Sequence, residues 1–450
     1  MALIPEHCQE KLYTSMKKAL IISFHFPPSS SIGGRRPSGF AKYLPKFGWE
    51  PIVLTPRLPG RLNGKIRVIE TDYEDVVSTY KSKFGFNPQK CIQEQPGEGS
   101  STNHNHPTWK GKFIKLVKGF LTYPDAMKGW YNFALKEAYT LLDTEKVDLI
   151  ISTAPPIVTH LIACKLKKKY NIPWISDIRD LWSQDTLYVE KSKVRQYAEK
   201  KLELSTLKYS DAIITVCGPH AEKLKNLHSS LREKIFVITN GFDPTDFEGL
   251  HEKRPDKFTI TYTGSLYGSG RDPSPLFIAI RKLIDENKID PAKIEIRFYA
   301  SGNFPEILAE KYELVNVVKV YDRVSYSRSL ENQLNSTVLL IVEWAPEGKG
   351  DIYTGKIFEY LGAGRPILAI APEQGIISDL LTQTKTGVAS IDSSDISSII
   401  QKWYDQFIMS GSVTLAGNDD EIQKYYRENK TQELSMIMSS IVNRETESFL

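Results

Sequence analysis

The chain has 450 residues, 41% hydrophobic and 25% charged, a length and balance that predict a soluble globular protein of two domains rather than one core. Lysine and arginine number 58 against 54 aspartate and glutamate, so the net charge of +4 gives no global field for nucleic acid, and basic patches must be argued locally. Four scattered cysteines with no CxxC pair argue for a reducing, cytoplasmic setting and against structural zinc, and no apolar run nears the roughly 18 residues of a membrane span.

Lys17-Lys18 followed by Ala19–Phe26 imitates a signal peptide, but Pro27-Pro28 and the lack of a small-residue cleavage site predict a buried first strand. A loop with Gly33 and Gly34 follows, then a helix over Ser38–Phe47 and a strand over Pro51–Leu54: a βαβ opening without GxGxxG. Two adjacent glycines let backbone approach a ligand, unless this is an ordinary turn. From about 73 to 108 periodicity is lost, and the stretch reads as a mobile insertion; His104 and His106 have no third metal ligand nearby. In Trp109–Leu121, Phe113, Leu116, Val117, Phe120 and Leu121 share a helical face, with Lys110, Lys112, Lys115 and Lys118 around it. Such an element lies in an anionic membrane interface or packs on its own domain.

Strands are expected at Val147–Thr153, from Asn171 into Asp177, at Ser210–Val216 and at Lys234–Ile238. Asp177-Ile-Arg179-Asp180 places charge where a parallel strand meets its loop, the usual ligand edge of an open α/β sheet. Asp177 and Asp180 are therefore candidate ligand-site residues, with an Asp177–Arg179 ion pair as the plain alternative. After a linker at Pro244–Lys257 the pattern restarts with a strand at Phe258–Thr263 and a second glycine loop, Gly264-Ser265 to Gly270-Arg271. Further strands at Ile294–Tyr299, Val317–Val320, Val338–Val342, Ile367–Ile370 and Val388–Ile391 alternate with helices. Amphipathic helices at Ile396–Met409 and Glu421–Val442 close the chain.

The densest stretch is Asp351-Ile-Tyr-Thr354-Gly355-Lys356-Ile-Phe-Glu359-Tyr-Leu-Gly-Ala-Gly-Arg-Pro366. A polar loop leads to a helix start at Lys356, where free N–H groups favour an anion and the lysine adds a cation. Glu359, one turn on, can accept two hydroxyls, as from a ribose. The alternative is a solvated helix face.

This stretch resembles the paired-acid motif of the retaining, nucleotide-sugar-dependent glycosyltransferases of family four, which have the GT-B fold. Asp351 and Glu359 keep the spacing of the family's two glutamates, with Asp in the first place. Lys356 to Leu368 is similar to members from bacterial polysaccharide assembly, as are Pro124-Asp125 to Trp130, Ser152 to Pro156 and Asp177 to Trp182. Thr239-Asn240-Gly241-Phe242-Asp243 resembles the element that ends the family's first domain. Where the family shows Gly-Arg or Gly-Lys this chain has Gly264-Ser265, which makes Arg271 the candidate cation, and a His-Asp seen elsewhere in the family is missing.

The resemblance implies two facing Rossmann-like, doubly wound α/β domains: 1–250 for the acceptor and 251–424 for the nucleotide sugar, with 425–450 crossing back. It implies retaining sugar transfer from a nucleotide-diphosphate sugar to a glycan, lipid-linked or small-molecule acceptor, in the cytoplasm, at the membrane's inner face if Trp109–Leu121 binds it. Gly33, Gly34, Gly264, Ser265, Thr354 and Gly355 would line the donor, and Lys356 and Arg271 would meet the leaving diphosphate. Glu359 would hold the ribose and Asp351 the sugar, and Asp177 or Asp180 would lie on the acceptor side, with no metal or other cofactor. A sugar-nucleotide epimerase of the same fold and a catalytically inactive binding homologue are the alternatives.

Overall fold

The computed structural model describes residues 16–28, 31–57, 66–76, 122–184, 192–267, 270–344 and 351–448, with side chains to 444. The expected insertion, His104, His106 and Trp109–Leu121 lie outside the described residues. The chain divides into two compact units, Met1–Ile238 with Thr431–Leu450, and Thr239–Lys430.

Unit 1 is built on a parallel sheet of strands β1 (Lys17–Ser23), β2 (Trp49–Pro56), β3 (Arg67–Thr71), β4 (Leu149–Ala154), β5 (Trp174–Ile178), β6 (Ala212–Thr215) and β7 (Ile235–Val237). Their order is β3-β2-β1-β4-β5-β6-β7. The sequence order reverses between β1 and β4, which opens a crevice at their carboxyl ends. Strand β1 from Ala19 onward and all of β4 are buried, because helices cover both faces of the sheet. One face packs helices α1 (Arg35–Tyr43) and the last helix of the chain, whose Leu434, Met438 and Ile441 are buried against Ile21, Val53 and Ile151. The other face carries α2 (Tyr131–Thr144), α3 (Val158–Tyr170) and α4 (Lys193–Leu207), followed by α5 (Gly218–Leu227). Asp125 accepts the Val158 N–H at 2.7 Å, capping the first turn of α3.

Unit 2 repeats the design. Strands β8 (Phe258–Thr263), β9 (Ile294–Tyr299), β10 (Val318–Tyr321), β11 (Val338–Val342), β12 (Ile367–Ile370) and β13 (Gly387–Ala389) are parallel, in the order β10-β9-β8-β11-β12-β13. The order reverses between β8 and β11. Helices α6 (Ser274–Asp285), α7 (Phe304–Lys311), α8 (Tyr326–Leu334), α9 (Lys356–Ala363), α10 (Ile376–Thr384) and α11 (Ser393–Ser410) connect and cover the strands, and α12 (Asp419–Gln423) follows. Helix α9 ends with Gly364 in the left-handed conformation, φ +62°, which glycine adopts without strain.

The division falls at Ile238/Thr239, earlier than the expected 250, because the stretch after it packs into unit 2. Phe242 and Phe247 close over Gly362, where an added Cβ would lie 2.4 Å from the Phe247 ring. The expected helix over Glu421–Val442 is two helices, α12 and α13 (Arg427–Ser448). The break lies where Phe242 bridges Tyr426 and Arg427 pairs with Asp246 at 2.8 Å. Strand β3 was not anticipated; it is an edge strand whose Arg67 and Glu70 are exposed, so it lacks an apolar run.

Candidate functional site

In unit 1 the crevice between β1 and β4 is closed by Arg179. Its guanidinium donates to the carbonyls of Gly33 at 2.6 Å, Ala154 at 3.2 Å and Pro155. Burial lowers its pKa, although Asp177 and Asp180 act against this. A Cβ on Gly33 would come 2.9 Å from the Arg179 Nη1, and one on Gly34 would press the Phe26 and His25 backbone at 3.3–3.4 Å. The close approach that the two glycines permit is therefore used by the protein itself. Burial, then Arg179, depresses the His25 pKa, so the imidazole stays neutral.

Asp177 is fully buried. The alternative to a ligand role was a pair with Arg179; Arg36, from α1, instead donates its Nε to both carboxylate oxygens at 3.0 Å, and Thr153 donates to Oδ2 at 2.8 Å. The reason is geometric: the Arg179 donors are aimed at the three carbonyls. Asp177 thus anchors α1 to the sheet, while Asp180 is exposed.

In unit 2 the crevice between β8 and β11 brings together most of the residues singled out from the sequence. Gly264 follows β8 at φ +111°, and a Cβ there would lie 3.2 Å from the Lys356 Nζ. The glycine leaves room for the lysine. Lys356 opens α9 and is half-buried as a residue, but its Nζ is shut from water, 3.7 Å from the Tyr262 ring centroid. That Nζ has no hydrogen-bond partner. Burial pushes its pKa well down; Arg271 pushes the same way and Glu359 opposes. Arg271 also has a buried Nε with no partner, and its guanidinium lies 5.2 Å from the Tyr267 ring. Two cations thus face one another with unmet donors, an arrangement that an anion relieves.

The acids lie around them. Glu359 accepts from Gln333 Nε2 at 3.3 Å, and Gln333 also donates to Thr263 at the end of β8 at 3.3 Å. Glu343 directly follows β11, and its backbone N–H donates to Ile370 at 3.0 Å. Burial first, then Asp351, raises its carboxyl to about 7, with Arg271 opposing. Its Oε2 is buried without a partner. Sequence reading passed over Glu343, although an acid after an apolar parallel strand is the signal that drew attention to Asp177. Thr354 has a buried hydroxyl without a partner just before α9, Gly355 is exposed at its N-cap, and the Ser265 Oγ accepts the Tyr267 N–H at 2.9 Å. Trp344 packs on the glycine loop, 2.6 Å from where a Gly270 Cβ would stand.

Residues 100–246 match the family described as Glycosyltransferase Family 4. No curated protein matches the chain. Among solved structures, the chain is similar to sucrose-phosphate synthase from Thermosynechococcus elongatus, at 13% identity and TM-score 0.52, covering 96% of this chain and 98% of that one. It is similar also to an Anabaena protein in complex with UDP-glucose, at 12% identity and TM-score 0.57, covering 94% and 99%. A lipopolysaccharide outer core galactosyltransferase aligns at 13% identity and TM-score 0.50, covering 94% and 100%. The likeness shows the fold: two parallel-sheet, Rossmann-like units of the GT-B architecture.

Proposed function

We propose that the chain is a glycosyltransferase that moves a sugar from a nucleotide-diphosphate sugar to an acceptor with retention of configuration. The observation that carries this is the pair of buried, unpartnered cationic donors, Lys356 Nζ and Arg271 Nε, at the β8/β11 crevice. A diphosphate placed there takes both donors, and as the sugar–phosphate bond breaks the two cations stabilise the charge that develops. Glu359, steadied by Gln333, accepts the ribose hydroxyls. Asp351, beside Glu343, orients the sugar. Because the cationic charge comes from side chains, we assign the reaction no metal cofactor.

The family match and the Anabaena complex with UDP-glucose support the donor class. The galactosyltransferase of lipopolysaccharide supports a glycan or lipid-linked acceptor and a place in surface-polysaccharide assembly on the cytoplasmic side. The test is incubation with UDP-, GDP- and ADP-sugars, following free nucleoside diphosphate and the anomeric proton of the sugar product. Retained configuration is expected. An inverted product refutes the retaining mechanism, a sugar nucleotide epimerised without acceptor refutes transfer, and no turnover of any donor refutes both.

A further inference from the structure

We propose that the β8/β11 crevice of unit 2 takes up a proton with each diphosphate it binds, and that the proton goes to the Lys356 side chain. The proposal rests on the reading of this crevice as a diphosphate site and adds how its charge is set. An ammonium carries three N–H donors and needs acceptors for them. The Lys356 Nζ is shut from water, and none of its donors meets an acceptor among the described residues. The Tyr262 ring centroid lies 3.7 Å away, while the Tyr262 hydroxyl is engaged with the Ser265 carbonyl at 2.9 Å. Gly264 backs onto the amine so closely that a Cβ there would stand 3.2 Å from Nζ.

The charges around Lys356 decide which group gives way. Arg271 faces it, with a buried Nε that also has no partner. Burial first and then Arg271 favour loss of the lysine proton; Glu359 opposes, but its Oε2 already accepts from Gln333 at 3.3 Å. Glu343 and Asp351 act on one another, with Arg271 offsetting them at Glu343. The phenols of Tyr262 and Tyr360 are held protonated by burial and are no proton acceptors. A guanidinium does not lose its proton in a protein, whereas a buried amine does. Of the two facing cations, only Lys356 can relieve the repulsion by becoming neutral. An arriving diphosphate supplies both acceptors and negative charge, so the amine regains its proton from solvent and binds as an ammonium. The buried hydroxyl of Thr354, without a partner just before α9, offers a neutral donor beside it. Release of the diphosphate returns the proton, and occupancy of the crevice falls as pH rises.

The test is calorimetric titration of the full chain with UDP, GDP and ADP, each in Tris and in HEPES at about pH 8. There the free diphosphate is fully ionised, and Glu343, at about 7, has mostly lost its proton. The dependence of the heat on the buffer's ionisation enthalpy counts the protons taken up, and about one per bound nucleotide is expected. Affinity should fall with rising pH, by about ten-fold per unit at the steepest. Lys356→Met should bind more weakly, with buffer-independent heat and an affinity that no longer follows pH. Lys356→Arg, whose guanidinium keeps its proton throughout, should bind without uptake, and Glu343→Gln should still take the proton up. Cooperative melting shows that each variant is folded, and the wild-type titration decides the proposal without them. Buffer-independent heat in wild type overturns the proposal and leaves the diphosphate site standing. Uptake that survives Lys356→Met but is lost in Glu343→Gln overturns it by placing the proton on the acid. Binding of none of the three nucleotides overturns the diphosphate reading and this proposal with it.

Discussion

Replacing Lys356 by methionine separates what this residue does for function from what it does to the fold. Its Nζ is buried, without a hydrogen-bond partner, and faces Arg271. Methionine keeps much of the length over Tyr262 and removes the unpaired charge. Replacing buried ionic groups by apolar ones of similar volume is often neutral or stabilises by about 1–4 kcal/mol. For a unit of this size, each kcal/mol raises the melting temperature by roughly 2–4 °C. Nucleotide affinity should move the other way: a charge-assisted hydrogen bond to phosphate contributes about 1.5–3 kcal/mol, so the dissociation constant should rise roughly ten- to a hundred-fold. The pH dependence gives a second reading. The folded pKa lies below the usual 10.5, so the folded form holds fewer protons than the unfolded chain between those two values. Stability from this group is present above 10.5 and is lost as pH falls through the folded pKa. Wild type should therefore gain stability as pH rises toward 10.5, apart from other titrations, and Lys356→Met should lack that increment. The assays are thermal melts across pH and titration calorimetry with a nucleoside diphosphate. A variant that melts lower than wild type yet binds nucleotide equally well would show that Lys356 is a packing residue, and would refute the reasoning.

Glu343, held at about 7 in the fold against a usual 4.5, contributes stability present below 4.5 and lost as pH rises through 7; melts of Glu343→Gln should lack that decline, and an identical pH profile would contradict it. Asp177→Ala leaves Arg36 buried without its carboxylate and should destabilise unit 1 by about 3–5 kcal/mol in chemical denaturation, whereas an intact, inactive protein would return Asp177 to the acceptor side. Gly362→Ala drives a Cβ into Phe247 and should cost about 1–3 kcal/mol; an unchanged denaturant midpoint would refute that packing. Glu359→Gln should weaken nucleotide binding by about 1–3 kcal/mol in calorimetry, and unchanged affinity would remove the ribose assignment. EDTA should leave turnover nearly intact, and a complete, magnesium-reversible loss would contradict the use of protein-borne cations.

The strands most legible in the sequence lie inside the sheets rather than at their edges. Val338–Val342 and Ile367–Ile370 lie at their expected bounds because every side chain in them is buried and the apolar run is unbroken, while Phe258–Thr263 and Ile294–Tyr299 keep theirs through apolar residues at alternate positions. At the sheet edges that signal fades. Strand β3 carries exposed Arg67 and Glu70, and β13 is a half-buried Gly387–Ala389, so the first was missed and the second expected too late. Tertiary partners were not legible. Nothing local to Asp177 shows that Arg36, 141 residues earlier, takes its charge, or that Phe242 breaks the last helix at Tyr426. In the site, Lys356 and Glu359 were readable because a helix start and its first turn are local features. Glu343, Gln333 and Tyr262 reach it from other strands and helices, through a sheet order that the sequence does not print.

The central claim is that the β8/β11 crevice of unit 2 binds a nucleotide-diphosphate sugar through Lys356 and Arg271. Thermal shift with UDP-, GDP- and ADP-sugars, on wild type and on Lys356→Met/Arg271→Ala, tests it most directly, because a ligand that binds only the folded state raises its stability by an amount set by concentration over dissociation constant. The account predicts that at least one donor class raises the wild-type melting temperature in a concentration-dependent way and leaves the double variant unmoved. No shift with any donor, or an equal shift in both proteins, would contradict it.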